Sequence, residues 1–132
     1  MVLVQKGSVF AFPIARCPKD CPPGTGHQID HIIPQSLANR RALMRMNLPE
    51  SRISTILAAV DRLGNLQLLI ERENREKGDM SFETWMETRG QSFLDAHLIP
   101  DRPDLWRVTM LPEFVQARET LIWGRVQRVV GI

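Results

Sequence analysis

The chain has 132 residues, 43% of them hydrophobic and 24% charged, which suits one globular core and excludes a disordered tail. Its formal charge of +2, from 17 Lys plus Arg against 15 Asp plus Glu, is a weak nucleic-acid signal, so any DNA binding would have to rest on a local patch. There is no signal-peptide pattern and no run of 18 apolar residues, so a cytoplasmic protein without a membrane partner is expected. Met1 leads straight into Val2-Leu3-Val4, which reads as a domain cut from a longer protein.

Residues 1–26 form a Pro/Gly-rich lead in which Pro18, Pro22, Pro23, Gly24 and Gly26 forbid a long helix. Val9 to Ile14 suits a short extended segment. Gln28 to Ile33 is short and rich in branched residues, and Pro34 closes it, so it reads as a strand. Residues 35–50 read as a loop with a helical turn. Ser51 is the expected N-cap of a helix to about Asp61, with Ile53, Ile56, Leu57 and Val60 as its buried stripe.

Gly64 breaks that helix, and Asn65 to Leu69 alternates as a second strand. Glu71 to Lys77 follows as a short polar helix stopped by Gly78. Ser81 caps a further helix expected to reach Leu98, weakened at Gly90. The last helix is expected from Pro112 to Val130, with Phe114, Leu121, Ile122, Val126 and Val129 packed and its arginines in water. Trp85, Trp106 and Trp123 suit core filling, and His97 a structural role.

Cleaving a phosphodiester needs a base for water, a cation for the phosphate charge and stabilisation of the leaving oxygen. Asp30-His31 can serve the first two needs. Neighbours on a regular strand face apart, so the two share a site only where the strand ends, and Pro34 makes a turn there. Asp30 offers a hard carboxylate oxygen to Mg²⁺ and His31 titrates in the right range to take a proton. Asn65 opens the second strand and Asn74 lies on the short helix, where its amide oxygen suits a hard cation. Lys77, one helical turn on, can reach a phosphate, as can Arg72 and Arg75.

Asp30-His31-Ile32-Ile33-Pro34-Gln35, then Leu63-Gly64-Asn65-Leu66-Gln67-Leu68-Leu69, then Asn74-Arg75-Glu76-Lys77-Gly78 resembles the HNH (ββα-metal) nuclease motif. More narrowly it resembles the C-terminal nuclease domain of DUF262/DUF1524 proteins, which are GmrSD-like modification-dependent restriction enzymes and phosphorothioate-dependent defence nucleases. The resemblance implies Asp30 and Asn74 as ligands of Mg²⁺ or Mn²⁺, and His31 as general base. It implies Asn65 as the middle motif residue, which fixes the loop and helps orient the histidine. It further implies double-stranded DNA as substrate, nicked by a single centre, and an N-terminal DUF262-like NTPase or sensor domain as partner. The zinc-binding cysteine pairs of many HNH domains have no counterpart around this motif, so helix packing has to replace them.

The expected fold is therefore helix-rich α+β, a ββα-metal core at residues 27–80 with an inserted helix at about 51–61, followed by a helical extension at 81–132. His27, Arg40, Arg41, Arg45, Arg72, Arg75 and Lys77 are the expected DNA contacts. Two other classes fit the residues: a DNA-binding or interaction module on an inactive scaffold, and a zinc-stabilised domain using Cys17, Cys21, His27 and His31 in C-x3-C-x5-H-x3-H spacing. An RNA-directed or toxin nuclease differs only in substrate.

Overall fold

The computed structural model describes residues 4–6, 9–11, 26–78 and 80–131, so Cys17 and Cys21 lie outside the described residues. Strands β1 (Val4–Lys6), β2 (Val9–Ala11), β3 (His27–His31) and β4 (Leu66–Ile70) form one antiparallel sheet in the order β1-β2-β3-β4. The expected pair, β3 and β4, is thus one half of a larger sheet, with β4 at its edge. β3 stops at His31 because Pro34 cannot donate to a ladder and the chain bends ahead of it.

Between β3 and β4 lie two helices, α1 (Arg40–Met44) and α2 (Glu50–Ala59). Asn39 caps α1, its side-chain oxygen accepting from the amide of Ala42 at 2.9 Å. α2 starts earlier than expected. Pro49 occupies the cap position without a side-chain bond, and Ser51 lies inside the helix, where its carbonyl accepts from the Thr55 hydroxyl. Ile53, Ile56 and Val60 are buried, and Leu57 packs against them. A 3-10 turn at Leu63–Asn65 then feeds β4.

α3 (Glu71–Lys77) has the expected span, and Gly78 ends it at φ +48°, a backbone region that L side chains rarely adopt. The single helix expected after Ser81 is two: α4 (Phe82–Glu87), capped by Ser81 Oγ, and α5 (Gln91–Ala96). Gly90 is the N-cap of the second rather than a weak point within one.

The last helix, α6 (Leu111–Val130), buries Leu111, Phe114, Val115 and Arg118, a stripe at helical spacing. Beyond it the expectation fails: Leu121, Val126 and Val129 are exposed, as is Trp123. A 20-residue helix is roughly 30 Å long, more than this small core can cover along its length. Arg118 also departs from the expected solvated arginines, as its guanidinium is buried under the Leu63–Asn65 turn.

The core joins Ile32 and Ile33, just after β3, to Phe82, Trp85, Leu111 and Phe114. Burying each such side chain contributes about 1.5–3 kcal/mol. This packing between helices anchors the end of β3. Among the described residues no helix is long and apolar enough to cross a membrane.

Candidate active site

β3 and β4 pair with Asp30 opposite Gln67 and Gln28 opposite Leu69. Strand alternation therefore puts Gln28, Asp30, Gln67 and Leu69 on one face, and α3 packs on both strands. Asn74 and Lys77, three positions apart, are the buried polar residues of α3. Asn74 Nδ2 donates to Gln28 Oε1 at 2.6 Å, while Lys77 Nζ lies 2.9 Å from Asp30 Oδ2 and donates to the His31 carbonyl at 2.9 Å. Gln67 Nε2 donates to the same Asp30 oxygen at 3.2 Å.

Burial pushes the Asp30 carboxyl above its ordinary range, and the Lys77 ammonium, with the bonds from Lys77 and Gln67, pulls it only part of the way back. Lys77 is the clearest departure from the expected site. Expected at a DNA phosphate, its side chain is 0% exposed and committed to Asp30 and to the strand end.

His31, the last residue of β3, is buried and still pairs with Leu66, so strand alternation turns its ring away from the Asp30 carboxylate and the strand does not set the two side chains facing each other. Its Nε2 lies 2.8 Å from Oδ1 of Asp61, just past the end of α2, and Gln35 Nε2 donates to that same oxygen at 3.2 Å. The sequence reading missed Asp61 because only the tertiary fold brings residue 61 to residue 31.

Asn65 ties these segments together. Its Oδ1 accepts from the Ile33 amide at 2.9 Å, and its Nδ2 donates to the carbonyls of Ile33 at 3.1 Å and Val60 at 2.8 Å. The Ile32 amide also donates to the Asn65 carbonyl at 2.8 Å. One buried side chain thus holds the exit of β3 against the exit of α2. Gly64 lets this turn approach α6, since a Cβ there would meet the Val115 carbonyl oxygen at 2.4 Å. Arg118 braces the other side, donating to the carbonyls of Leu66 at 2.6 Å, Gly64 at 3.2 Å and His97 at 3.1 Å; burial lowers its pKa to about 10.

Two buried acceptors on the Asp30 face, Asn74 Oδ1 and Gln67 Oε1, have no hydrogen-bond partner among the described residues. A buried acceptor left so is costly, and a hard cation is one partner that would satisfy it. No group of three or more His, Cys, Asp or Glu residues able to hold a metal occurs among the described residues. The donors at hand are one carboxylate and neutral amide oxygens. They fit Mg²⁺, which keeps several waters and takes few protein ligands, better than a closed zinc site.

The expected phosphate contacts are spread out. Arg40, Arg41 and Arg45 are exposed on and just after α1, with Arg40 paired to Glu50 at 2.5 Å. Arg72 and Arg75 are exposed on α3, and His27 is half-buried at the start of β3. Of the suggested zinc ligands, His31 has its Nε2 directed to Asp61.

The family described as "GmrSD restriction endonucleases, C-terminal domain" matches residues 9–121, and the chain belongs to that family. No curated protein and no solved structure matches it.

Proposed function

We propose that this GmrSD-family domain is a divalent-metal-dependent DNA endonuclease of the HNH type that nicks double-stranded DNA in a restriction or anti-phage defence system. The observation that carries the reading is the buried Asn74 Oδ1, without a hydrogen-bond partner among the described residues, on the helix packed against the strand that ends in Asp30-His31.

Asp30 and Asn74 would hold Mg²⁺ or Mn²⁺. When bound, that ion supplies positive charge against the phosphate oxygens and the departing 3′-oxygen. His31 takes a proton from water as it attacks the phosphorus in line. Asn65 reacts with nothing in this scheme; it holds the loop on which His31 ends. Arg40, Arg41, Arg45, Arg72, Arg75 and His27 contact the DNA backbone, while Lys77 is removed from that set because it neutralises Asp30. In the full-length protein an N-terminal DUF262-like NTPase or sensor domain selects the DNA.

The test is nicking of supercoiled plasmid with Mg²⁺ or Mn²⁺. His31→Ala lowers the rate by at least about 100-fold while the fold is kept, because a positioned base contributes that much or more. Asp30→Ala and Asn74→Ala weaken Mn²⁺ binding measured by calorimetry. Undiminished nicking by a clean His31→Ala preparation rejects the reading.

One observation favours a second reading, a DNA-binding module without cleavage: the Lys77 ammonium is paired with Asp30, the carboxylate a metal would need. DNA binding without Mn²⁺ binding or cleavage would select it.

A further inference from the structure

We propose that Gln67 is a third oxygen ligand of the divalent cation, completing with Asp30 and Asn74 a set of one carboxylate and two amide oxygens. This role rests on the metal-dependent reading above and adds to it a residue to which the motif assigns none. Three observations carry it. Gln67 is 3% exposed, and its Oε1 has no hydrogen-bond partner among the described residues. Its register opposite Asp30 puts it on the sheet face against which α3 packs, where Asn74 Oδ1 is stranded in the same way. Both amides commit their nitrogens to neighbours, Gln67 Nε2 to Asp30 at 3.2 Å and Asn74 Nδ2 to Gln28 at 2.6 Å.

The orientation of the Gln67 amide follows from the donor inventory. An ionised carboxylate only accepts, so the amide nitrogen must face Asp30; turning the amide over would set two acceptors against each other. The contact that holds the side chain therefore also leaves its oxygen without a donor. Lys77 does not make up for this. Its ammonium lies 2.9 Å from Asp30 Oδ2 and donates to the His31 carbonyl, and neither amide oxygen accepts from it. Stranding a buried acceptor is costly, and a hard cation satisfies carboxylate and amide oxygens together while keeping its other positions for water. Because the Lys77 charge sits beside Asp30, that carboxylate attracts a cation less than a lone one would. The neutral oxygens then decide the affinity, and Gln67 supplies one of them.

The experiment measures metal binding itself, on the 132-residue chain. In calorimetric titration with Mn²⁺, Gln67→Leu weakens binding about 10- to 100-fold, the loss that follows removal of groups supporting a metal site. Gln67→Glu restores an oxygen at that position without an N–H, and binds Mn²⁺ at least as tightly as the wild type. The two variants separate a ligand from a residue that only holds Asp30, since both lose the N–H to Asp30. In ¹³C NMR of the wild type, the Gln67 side-chain carbonyl shifts on addition of Mg²⁺ together with that of Asn74. That readout needs no substitution and no cleavage.

Wild-type Mn²⁺ affinity in Gln67→Leu, with Asn74→Ala weakened, overturns the role of Gln67 and leaves the metal-dependent reading standing. So does a Gln67→Glu variant as weak as Gln67→Leu, or a Gln67 carbonyl that stays in place while that of Asn74 shifts. A wild type that takes up no Mn²⁺ overturns both, and the two oxygens then face ordered water only. A wild type that binds Mn²⁺ through Gln67 but cuts no DNA upholds the ligand and rejects the nuclease reading.

Discussion

The two sides of strand β3 handle their ionisable residues in opposite ways. On the α3 side, Asp30 is enclosed, and the Lys77 ammonium and the Gln67 amide meet one of its oxygens. On the other, the buried His31 ring reaches a carboxylate that solvent also reaches. An enclosed ion pair is held by mutual neutralisation and is damaged most by removing one partner. A ring held by an exposed carboxylate depends instead on where the backbone places that carboxylate. Here Asn65 and the close contact of Gly64 with α6 decide that. One side is thus an electrostatic device and the other a packing device.

The sharpest way to break this contrast is Lys77→Met. It keeps the buried stem but leaves Asp30 unpaired, and should lower unfolding stability by about 3–5 kcal/mol in denaturant titration. Asp30→Asn combined with Lys77→Met should recover much of the loss, since replacing both members of a buried pair is often nearly neutral. An unchanged midpoint in Lys77→Met would mean the pair is not enclosed.

On the packing side, Gly64→Ala forces a Cβ into the Val115 backbone and should cost about 3 kcal/mol. It should disturb the His31–Asp61 contact, seen as a change in the His31 imidazole ¹⁵N and ¹H signal. A stable Gly64→Ala protein with that signal intact would separate the turn from the ring.

The smallest effect concerns His97, stacked on Phe93 with centroids 4.1 Å apart and distant in sequence from both devices. Burial lowers its pKa below the ordinary histidine value; Arg118 adds to this and Glu73 opposes it. A histidine depressed in the folded state contributes stability that is present above the unfolded value of about 6.5 and is lost as pH falls through the lower folded value. The thermal midpoint should therefore fall from about pH 7 to about pH 5, and fall less in His97→Gln. Equal slopes would assign the acid sensitivity elsewhere.

Much of the local structure is legible in the sequence. The span of α3, its stop at Gly78, the cap at Ser81 and the end of β3 ahead of Pro34 all follow from short-range chemistry. The start of α2 and the break at Gly90 were less legible, because a proline or a glycine at a cap position leaves no side-chain bond to look for. Within the candidate site, Asp30, His31, Asn65 and Asn74 stood out by residue type and order. Asp61 and Gln67 did not. Each acquires its partner only across the sheet or across a helix exit, at separations that no periodicity encodes.

The sequence by itself determined the helix-rich α+β class, the motif residues and elements such as α3 and β3, because caps, breakers and hydrophobic period act within a few residues. The tertiary structure decided three things that depend on distant neighbours. It turned Lys77 inward to Asp30, buried Arg118 beneath a turn, and left the far half of α6 outside the core. The physical reason is the same in each case. A lysine, an arginine or a valine on a helix has an intrinsic preference for water or for apolar surroundings. Whether that preference is met depends on which carboxylate, carbonyl or core the fold carries to it.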